Sequence, residues 1–159
     1  MSDGPSASPG VSLVIPVYNE KDNLAVLHQE ITDVLRSTGN TYEILFVDDG
    51  STDGSDGVLR GLRSADPHVR VLTFARNAGQ SAAMDAGFKS AGGEVIVTLD
   101  ADLQNDPADI PRLLASLSGW DAVVGVRARR QDSLVRRVSS RVANYVRNRL
   151  SDETITDTG

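Results

Sequence analysis

The chain has 159 residues, of which 40% are hydrophobic, 24% charged and 4% aromatic, with no cysteine and a formal net charge of −6. This length predicts one domain that buries roughly 68–70% of its unfolded surface, and the absence of cysteine excludes disulfides, thiolate zinc sites and a cysteine nucleophile. No apolar run approaches the roughly 18 residues of a membrane span, and residues 1–10 lack the features of a secretory signal, so we expect a soluble intracellular domain.

Short apolar runs alternate with helical patterns after a Ser-, Pro- and Gly-rich lead-in, residues 1–10, which we expect to be disordered. The runs predict five strands buried on both faces: Val11–Val17, Tyr42–Val47, Val69–Phe74, Glu94–Leu99 and Asp121–Val126. Strand–helix alternation at this spacing predicts right-handed βαβ units and a mostly parallel, doubly wound α/β sheet. Ligands of such sheets bind beyond the carboxyl ends of the strands, so chemistry is sought in the loops there.

Four helical patterns lie between and after these runs. In the first, apolar residues recur from Leu24 to Leu35, with Asn19 as the predicted N-cap and Gly39 as the stop. The second follows three cap-type residues, 51–53, and the third, residues 81–91, is rich in small residues that allow close helix-on-sheet contact. Pro107 is the predicted first residue of the fourth helix.

The charge is unevenly distributed. Residues 1–126 carry a net charge of −10, whereas residues 127–150 contain eight arginines against Asp132, for a net charge of +7. Apolar residues recur near helical spacing from Leu134 to Leu150 within this Arg-rich arm. The arm therefore predicts either a basic amphipathic helix at an anionic membrane surface or an ordinary surface helix packed on the domain. With one aromatic residue in the arm and an acidic body, we expect no nucleic-acid partner.

Asp100 and Asp102 form a D-x-D pair directly after the fourth predicted strand, and Gln104 continues the same alternation. Oxygen ligands without nearby His or Cys suit Mg²⁺ or Mn²⁺. The alternative is a solvated acidic turn that caps the helix at Pro107.

Two further strand ends carry polar or aromatic candidates. Asp49 follows the second strand and fits either a tight turn or a contact with a nucleotide base or ribose. Tyr18, after the first strand, is either a core aromatic or part of a ligand site. His28 and His68 lie in a helix and a turn, and we expect both to be structural. Without a G-x-S-x-G elbow, a Walker A loop or a G-x-G-x-x-G loop, the sequence argues against nucleophilic hydrolysis.

Several strings together resemble family 2 glycosyltransferases of the GT-A fold. They are residues 14–20 (VIPVYNE), residues 47–53 (VDDGSTD), Asn77-x-Gly79 and residues 99–104 (LDADLQ). The DADLQ string, Gly125-x-Arg127 and residues 130–144 are similar to the branch of dolichol-phosphate mannosyltransferases and bacterial undecaprenyl-phosphate sugar transferases. The likeness covers residues 11–159 in order.

The resemblance implies a role for each matching position. Pro16, Tyr18, Glu20 and Asp49 would hold the nucleoside of a nucleotide-sugar donor, and Asp100 and Ala101 would contribute to the same site. Asp100, Asp102 and Gln104 would bind the Mg²⁺ or Mn²⁺ that bridges the diphosphate. Arg127 would face the diphosphate or donor sugar, residues 130–141 would reach the lipid phosphate, and the implied catalytic residues are Asp102, Arg127 and Arg141.

The implied reaction is a metal-dependent, inverting transfer of a sugar to a polyprenyl or dolichyl phosphate in cell-envelope synthesis. GDP-mannose, UDP-glucose and modified UDP-pentoses all fit as donors. A lipid phosphate is already an anionic nucleophile, which accords with the absence of a poised histidine. The implied location is peripheral, at the inner face of the cytoplasmic membrane, through the Arg-rich arm.

The resemblance divides the chain into a nucleotide-sugar-binding core, residues 11–126, and an arm, residues 127–159, that begins the acceptor side. Asp157-Thr158-Gly159 resembles an element that normally leads into a further stretch of the domain, so we expect a C-terminally truncated GT-A domain. Alternatives are a transferase with a sugar-hydroxyl acceptor, a non-catalytic nucleotide-binding or membrane-docking fragment and, more distantly, a phosphoryl-transfer domain using Asp48 and Asp49.

Overall fold

A computed structural model describes residues 8–126 of the chain. Its elements, in chain order, are β1 (Val11–Val17), α1 (Leu24–Thr38), β2 (Tyr42–Asp48), α2 (Ser55–Ala65), β3 (Val69–Thr73), α3 (Gln80–Ser90), β4 (Val95–Thr98), a 3₁₀ turn (Pro107–Asp109) and α4 (Ile110–Ser116). The chain divides into two units after Val123. Of the second unit, only residues 124–126 are described, and they lie outside any helix or strand.

The four strands form one parallel sheet in the order β3-β2-β1-β4. Every residue of β2 is buried, as expected for a strand covered on both faces. The predicted α/β class and parallel sheet are confirmed. The chain adds β2 and β3 on one side of β1 and then crosses to place β4 on the other side.

Alternate residues of the strands face two separate cores. On one face, Leu13 and Ile15 of β1 pack with Leu27 and Ile31 of α1, in a cluster that also includes residues of α2 and α4. This burial explains α1, because its apolar residues recur at the spacing of one helical face. The helix ends at Gly39, whose φ of 71° is the left-handed conformation predicted for a helix stop.

The second face is covered by α3. Val14, Leu45 and Val47 of the sheet pack with Ala83, and Gly87 lies so close to β1 that an added Cβ would overlap the Val14 side chain. The small residues of α3 thus allow the close helix-on-sheet contact that the sequence predicts.

Two local predictions are wrong. The run Asp121–Val126 is not a strand, and among the described residues no strand pairs with it or with the outer edge of β4. Its β-branched residues do not suffice, because a strand requires a neighbour for its backbone groups. Asn19 does not cap α1, which begins at Leu24 after Asn23.

Pro107 begins a 3₁₀ turn that leads into α4, and the Asp106 side chain accepts the Ala108 N–H at its start.

Candidate functional site

A cavity of about 370 Å³ lies at the carboxyl edge of the sheet, beside the ends of β1 and β4. The strand order reverses between these two strands, which is where ligands bind in open α/β sheets. The end of β1, the first residue of α3 and the loops that follow all four strands supply its lining: Pro16, Val17, Tyr18, Glu20, Asp49, Asn77, Gly79, Gln80, Asp100, Ala101 and Asp102. Seven of these are predicted site residues, so the structure brings them together in one cleft.

The loop after β1 is braced by the loop after β2. Ser51 Oγ accepts the Asn19 N–H at 3.0 Å, and the Asn19 side-chain oxygen accepts the Thr52 N–H at 2.8 Å. Ser55 Oγ accepts the Glu20 N–H at 3.1 Å. Asn19 adopts a φ of 58°, in the left-handed region that Asn tolerates better than most residues. Its side chain therefore joins two loops and does not begin a helix.

Asp53 adds a further link between the same loops. Its carboxylate accepts the Lys21 N–H at 3.0 Å and both the N–H and the hydroxyl of Ser55. The hydrogen bond from the Ser55 hydroxyl, followed by those from the backbone, lowers the pKa of Asp53. Residues 51–55 thus hold the loop that carries Tyr18, whose side chain remains 47% exposed beside the cleft. An exposed ring at a strand end offers a surface on which a base can stack.

Asp48 and Asp49 have different partners. Asp48 Oδ1 accepts the Ser51 N–H at 3.0 Å, the contact expected of a tight turn. Asp49 is 3% exposed, and its two oxygens accept the N–H groups of Ala78 and Gly79 at 2.7 and 2.9 Å. Each carboxylate oxygen has a second lone pair, so these bonds leave room for a ligand donor. Asp49 therefore positions the loop after β3 and also lines the cleft.

The D-x-D pair lines the cleft from the end of β4. Asp100 Oδ1 accepts the Gln80 side-chain N–H at 3.0 Å, and Asp102 Oδ1 accepts the Gln104 backbone N–H at 3.0 Å. Leu103, between Asp102 and Gln104, adopts a φ of 59°. Gln104 itself is absent from the cleft lining, whereas Ala101 is buried there.

The D-x-D offers a cation two carboxylates of the cleft lining, those of Asp100 and Asp102. In the described range 8–126, no group of three His, Asp or Glu side chains is arranged to hold a metal ion. Two carboxylates nevertheless fit Mg²⁺ or Mn²⁺, which are often held by one or two carboxylates together with waters and substrate phosphates. These two carboxylates are therefore chemically suited to a divalent cation that a bound phosphate group also coordinates.

Both histidines lie at the amino edge of the sheet, away from the cleft lining. Asp66 accepts from His28 Nε2 at 2.9 Å and from His68 Nδ1 at 2.8 Å, and the Tyr42 ring stacks on His68 at a centroid distance of 4.4 Å. Burial raises the pKa of Asp66, but hydrogen bonds from His68 and His28 outweigh it and the net shift is downward. The contacts support the expected structural role of His28 and His68.

Sequence reasoning did not assign four residues of the lining: Val17, which was predicted only as the last residue of β1, Asn77, Gly79 and Gln80. Asn77 and Gly79 were visible as part of a string, but nothing in the spacing indicated that they share a wall with Asp49. Gln80 follows that string directly, and no motif in the sequence singles it out.

Part of the predicted site lies outside the described residues: Arg127, Arg141, the rest of the Arg-rich arm and Asp157. None of the helices in residues 8–126 has the length and apolar content to cross a membrane.

The chain matches a family model and several curated proteins. The family model described as glycosyl transferase family 2 matches residues 12–158. Undecaprenyl-phosphate 4-deoxy-4-formamido-L-arabinose transferases from Salmonella typhimurium and Salmonella paratyphi B are each 44% identical over 151 residues. The match covers 94% of this chain and 46% of each relative, so the chain spans about half the length of these curated relatives.

Solved structures share the fold. A mannosyltransferase from Pyrobaculum calidifontis, in complex with GDP-Man and Mn²⁺, has a TM-score of 0.54 at 26% identity, over 77% of this chain and 35% of that one. TarS of S. aureus, residues 1–349 in complex with UDP, has a TM-score of 0.55 at 20% identity, over 77% and 38%. These neighbours are glycosyltransferases of the GT-A fold, so the predicted fold type is confirmed.

Proposed function

The chain belongs to glycosyl transferase family 2, and on that basis we propose that its cleft binds the nucleotide-sugar donor in a metal-dependent, inverting sugar transfer to a polyprenyl phosphate. The observation that carries the proposal is the convergence of Tyr18, Glu20, Asp49 and the D-x-D pair on one cleft at the strand-order reversal. The undecaprenyl-phosphate sugar transferases that share 44% identity support a lipid phosphate as acceptor.

The nucleoside occupies the wall formed by the ends of β1 and β2. Tyr18 supplies an exposed ring for the base, and Pro16 lines the cleft beside it. Glu20 and Asp49 supply carboxylate oxygens that accept from ribose hydroxyls or base N–H groups. The loop bracing by residues 51–55 fixes this wall before the donor arrives, which reduces the ordering cost of binding.

The charge of the cleft supports a cation. Four carboxylates line it, from Glu20, Asp49, Asp100 and Asp102, and no Lys or Arg of residues 8–126 belongs to the lining. A diphosphate would meet net repulsion there without a positive partner. Asp100 and Asp102 would hold Mg²⁺ or Mn²⁺, with Gln104 as a proposed third ligand. A bound divalent cation would neutralise the charge that develops on the leaving diphosphate. The mannosyltransferase complex with Mn²⁺ supports this use of metal.

The chemical step needs little proton transfer. An oxygen of the lipid phosphate attacks the anomeric carbon, the bond from that carbon to the diphosphate oxygen breaks, and the nucleoside diphosphate leaves with the electron pair. Because a phosphate is anionic at neutral pH, no strong base is required. That agrees with the engagement of both histidines by Asp66. Arg127 and Arg141 are proposed to face the diphosphate and the lipid phosphate.

The acceptor places the reaction at a membrane surface. We propose that the Arg-rich arm, residues 127–150, binds anionic lipid, because each Arg near such a surface contributes about 1 kcal/mol. The chain should sediment with vesicles that contain phosphatidylglycerol at low salt and remain in the supernatant at high salt. Equal binding to neutral vesicles would contradict the proposal.

Isothermal titration with GDP and UDP, with and without Mn²⁺, tests the donor site. We expect one nucleotide to bind more tightly with Mn²⁺, and Asp102→Ala to remove that gain. Asp33→Ala, which changes an exposed carboxylate of α1 outside the cleft, is the matched control and should bind like the wild type. Absence of metal-dependent binding in the wild type, or unchanged binding in Asp102→Ala, would refute the proposal. Transfer of labelled sugar to a short-chain polyprenyl phosphate then tests the acceptor.

A further inference from the structure

Gln80 is the first residue of α3 and lines the cleft together with Asp100. Its side-chain Nε2 donates to Asp100 Oδ1 at 3.0 Å. The preceding Gly79 has a φ of 96°, which a residue with a side chain rarely adopts. The contact therefore links the start of α3 to the end of β4, across the wall of the proposed donor site.

The backbone that carries Gln80 is itself fixed by the end of β2. Asp49 holds the N–H groups of Ala78 and Gly79, the two residues immediately before it. Gly50 packs against the backbone of Arg76 so closely that a Cβ there would lie 2.6 Å from the Arg76 carbonyl carbon. A continuous series of contacts thus runs from the nucleoside wall, through the loop after β3, to Asp100.

We propose that Gln80 is a positioning residue that orients the Asp100 carboxylate for the divalent cation, an inference that rests on the proposed function. A hydrogen bond to one carboxylate oxygen limits rotation of the group, and partners of metal ligands commonly act in this way. A glutamine is suited to the task because its amide donates without carrying a positive charge that would compete with the cation. Loss of such a partner typically weakens metal affinity about 10- to 100-fold.

The test compares Mn²⁺ affinity in wild type, Gln80→Met and Gln29→Met. Methionine has a similar length and helix propensity but no donor. Gln29 is the matched control, since on α1 its Nε2 also donates to an aspartate, Asp33 Oδ1, at 2.9 Å and outside the cleft. The electron paramagnetic resonance signal of free Mn²⁺ gives the dissociation constant in the presence of GDP or UDP. We expect Gln80→Met to weaken binding at least 10-fold and Gln29→Met to change it less than twofold.

Two further measurements separate positioning from a general disturbance of the loop. In the metal-free protein, the hydrogen-exchange protection of the Ala78 and Gly79 amides and the thermal midpoint should be the same in Gln80→Met and the wild type, because Asp49 holds these amides. If that protection falls together with the metal affinity, or if affinity changes less than twofold, the inference is overturned while the proposed function stands. If the wild type itself binds no Mn²⁺, the metal-dependent function fails and the inference fails with it.

Discussion

Asp49 Oδ2 accepts the backbone N–H of Gly79 at 2.9 Å, so a carboxylate at the end of β2 holds the residue that precedes α3. The other oxygen of Asp49 holds Ala78 in the same way. These bonds join segments 29 and 30 residues apart, and they lie in the wall of the cleft. The second acidic residue of the DDGS string is therefore a structural support for the site that it lines.

Asp49→Asn should destabilise the protein as well as weaken donor binding. An amide retains one acceptor but directs an N–H₂ group at the second backbone donor, which leaves one of the two partly buried N–H groups without its partner. We expect the free energy of unfolding to fall by about 1–3 kcal/mol in urea titrations. Asp85→Asn, at an exposed carboxylate paired with Lys89, is the control and should change it by less than about 1 kcal/mol. Equal effects of the two substitutions would contradict the support role.

Gly50→Ala tests the close approach of the loops after β2 and β3. Gly50 and Gly39 have nearly the same φ, 70° and 71°, but an added Cβ at Gly39 meets nothing within 4 Å. Both substitutions incur the left-handed penalty of about 1–2 kcal/mol, and Gly50→Ala adds the displacement of the Arg76 backbone, about 1–3 kcal/mol more. Thermal unfolding should show the larger loss in Gly50→Ala. Matching losses would show that the approach to Arg76 is easily relaxed.

Sequence reasoning succeeded where local pattern and general sheet rules are sufficient. All four strands form where the sequence has short apolar runs, and three of the four begin at the predicted residue. β1 and β2 are almost entirely buried, as predicted, whereas β3 and β4 are only partly buried. The parallel sheet then dictates that loops after the strands share one edge, which is why residues as distant as Tyr18 and Asp102 could be assigned to one site.

The remaining features depend on contacts that a local pattern does not contain. Asn19 looks like a helix cap, but the Thr52 N–H is its partner, 33 residues away. The apolar run at 121–126 has strand composition without a strand beside it in the described part of the chain. The contact of Gln80 with Asp100 depends on how α3 is placed by Asp49, which only the folded structure reveals.

The lowered pKa of Glu43 leads us to expect a contribution to stability that is lost in acid. Burial raises the pKa of its carboxyl, but hydrogen bonds from Ser12 Oγ, the Gly92 N–H and Arg70 outweigh burial and lower it overall. A carboxyl with a lowered pKa in the folded state stabilises the protein above its unfolded pKa of about 4.3, and that contribution disappears as the pH falls through the folded value.

Glu43→Gln should therefore lose about 1.5–3 kcal/mol of unfolding free energy at pH 7 and converge with the wild type in acid. Urea titrations between pH 7 and pH 3 measure the difference. Glu30→Gln, at an exposed position of α1, is the control and should follow the wild type at every pH. A pH-independent deficit in Glu43→Gln would show that packing, not charge, accounts for the effect.

Gly87→Ala should change stability in two opposite ways, because alanine favours the helix while its Cβ overlaps the sheet. In an open helix position, alanine stabilises by about 0.5–1 kcal/mol relative to glycine, and Gly61 of α2, with nothing within 4 Å of an added Cβ, should show that gain. At Gly87, the added methyl overlaps the Val14 side chain, which is stiff at χ1 and fully buried, so we expect a net loss of about 1–3 kcal/mol. The double variant Gly87→Ala with Val14→Ala should recover part of that loss in urea titrations, because it frees the volume that the methyl requires. If Gly87→Ala were as stabilising as Gly61→Ala, α3 would be free to move away from the sheet, and the fixed placement of Gln80 would lose its structural basis.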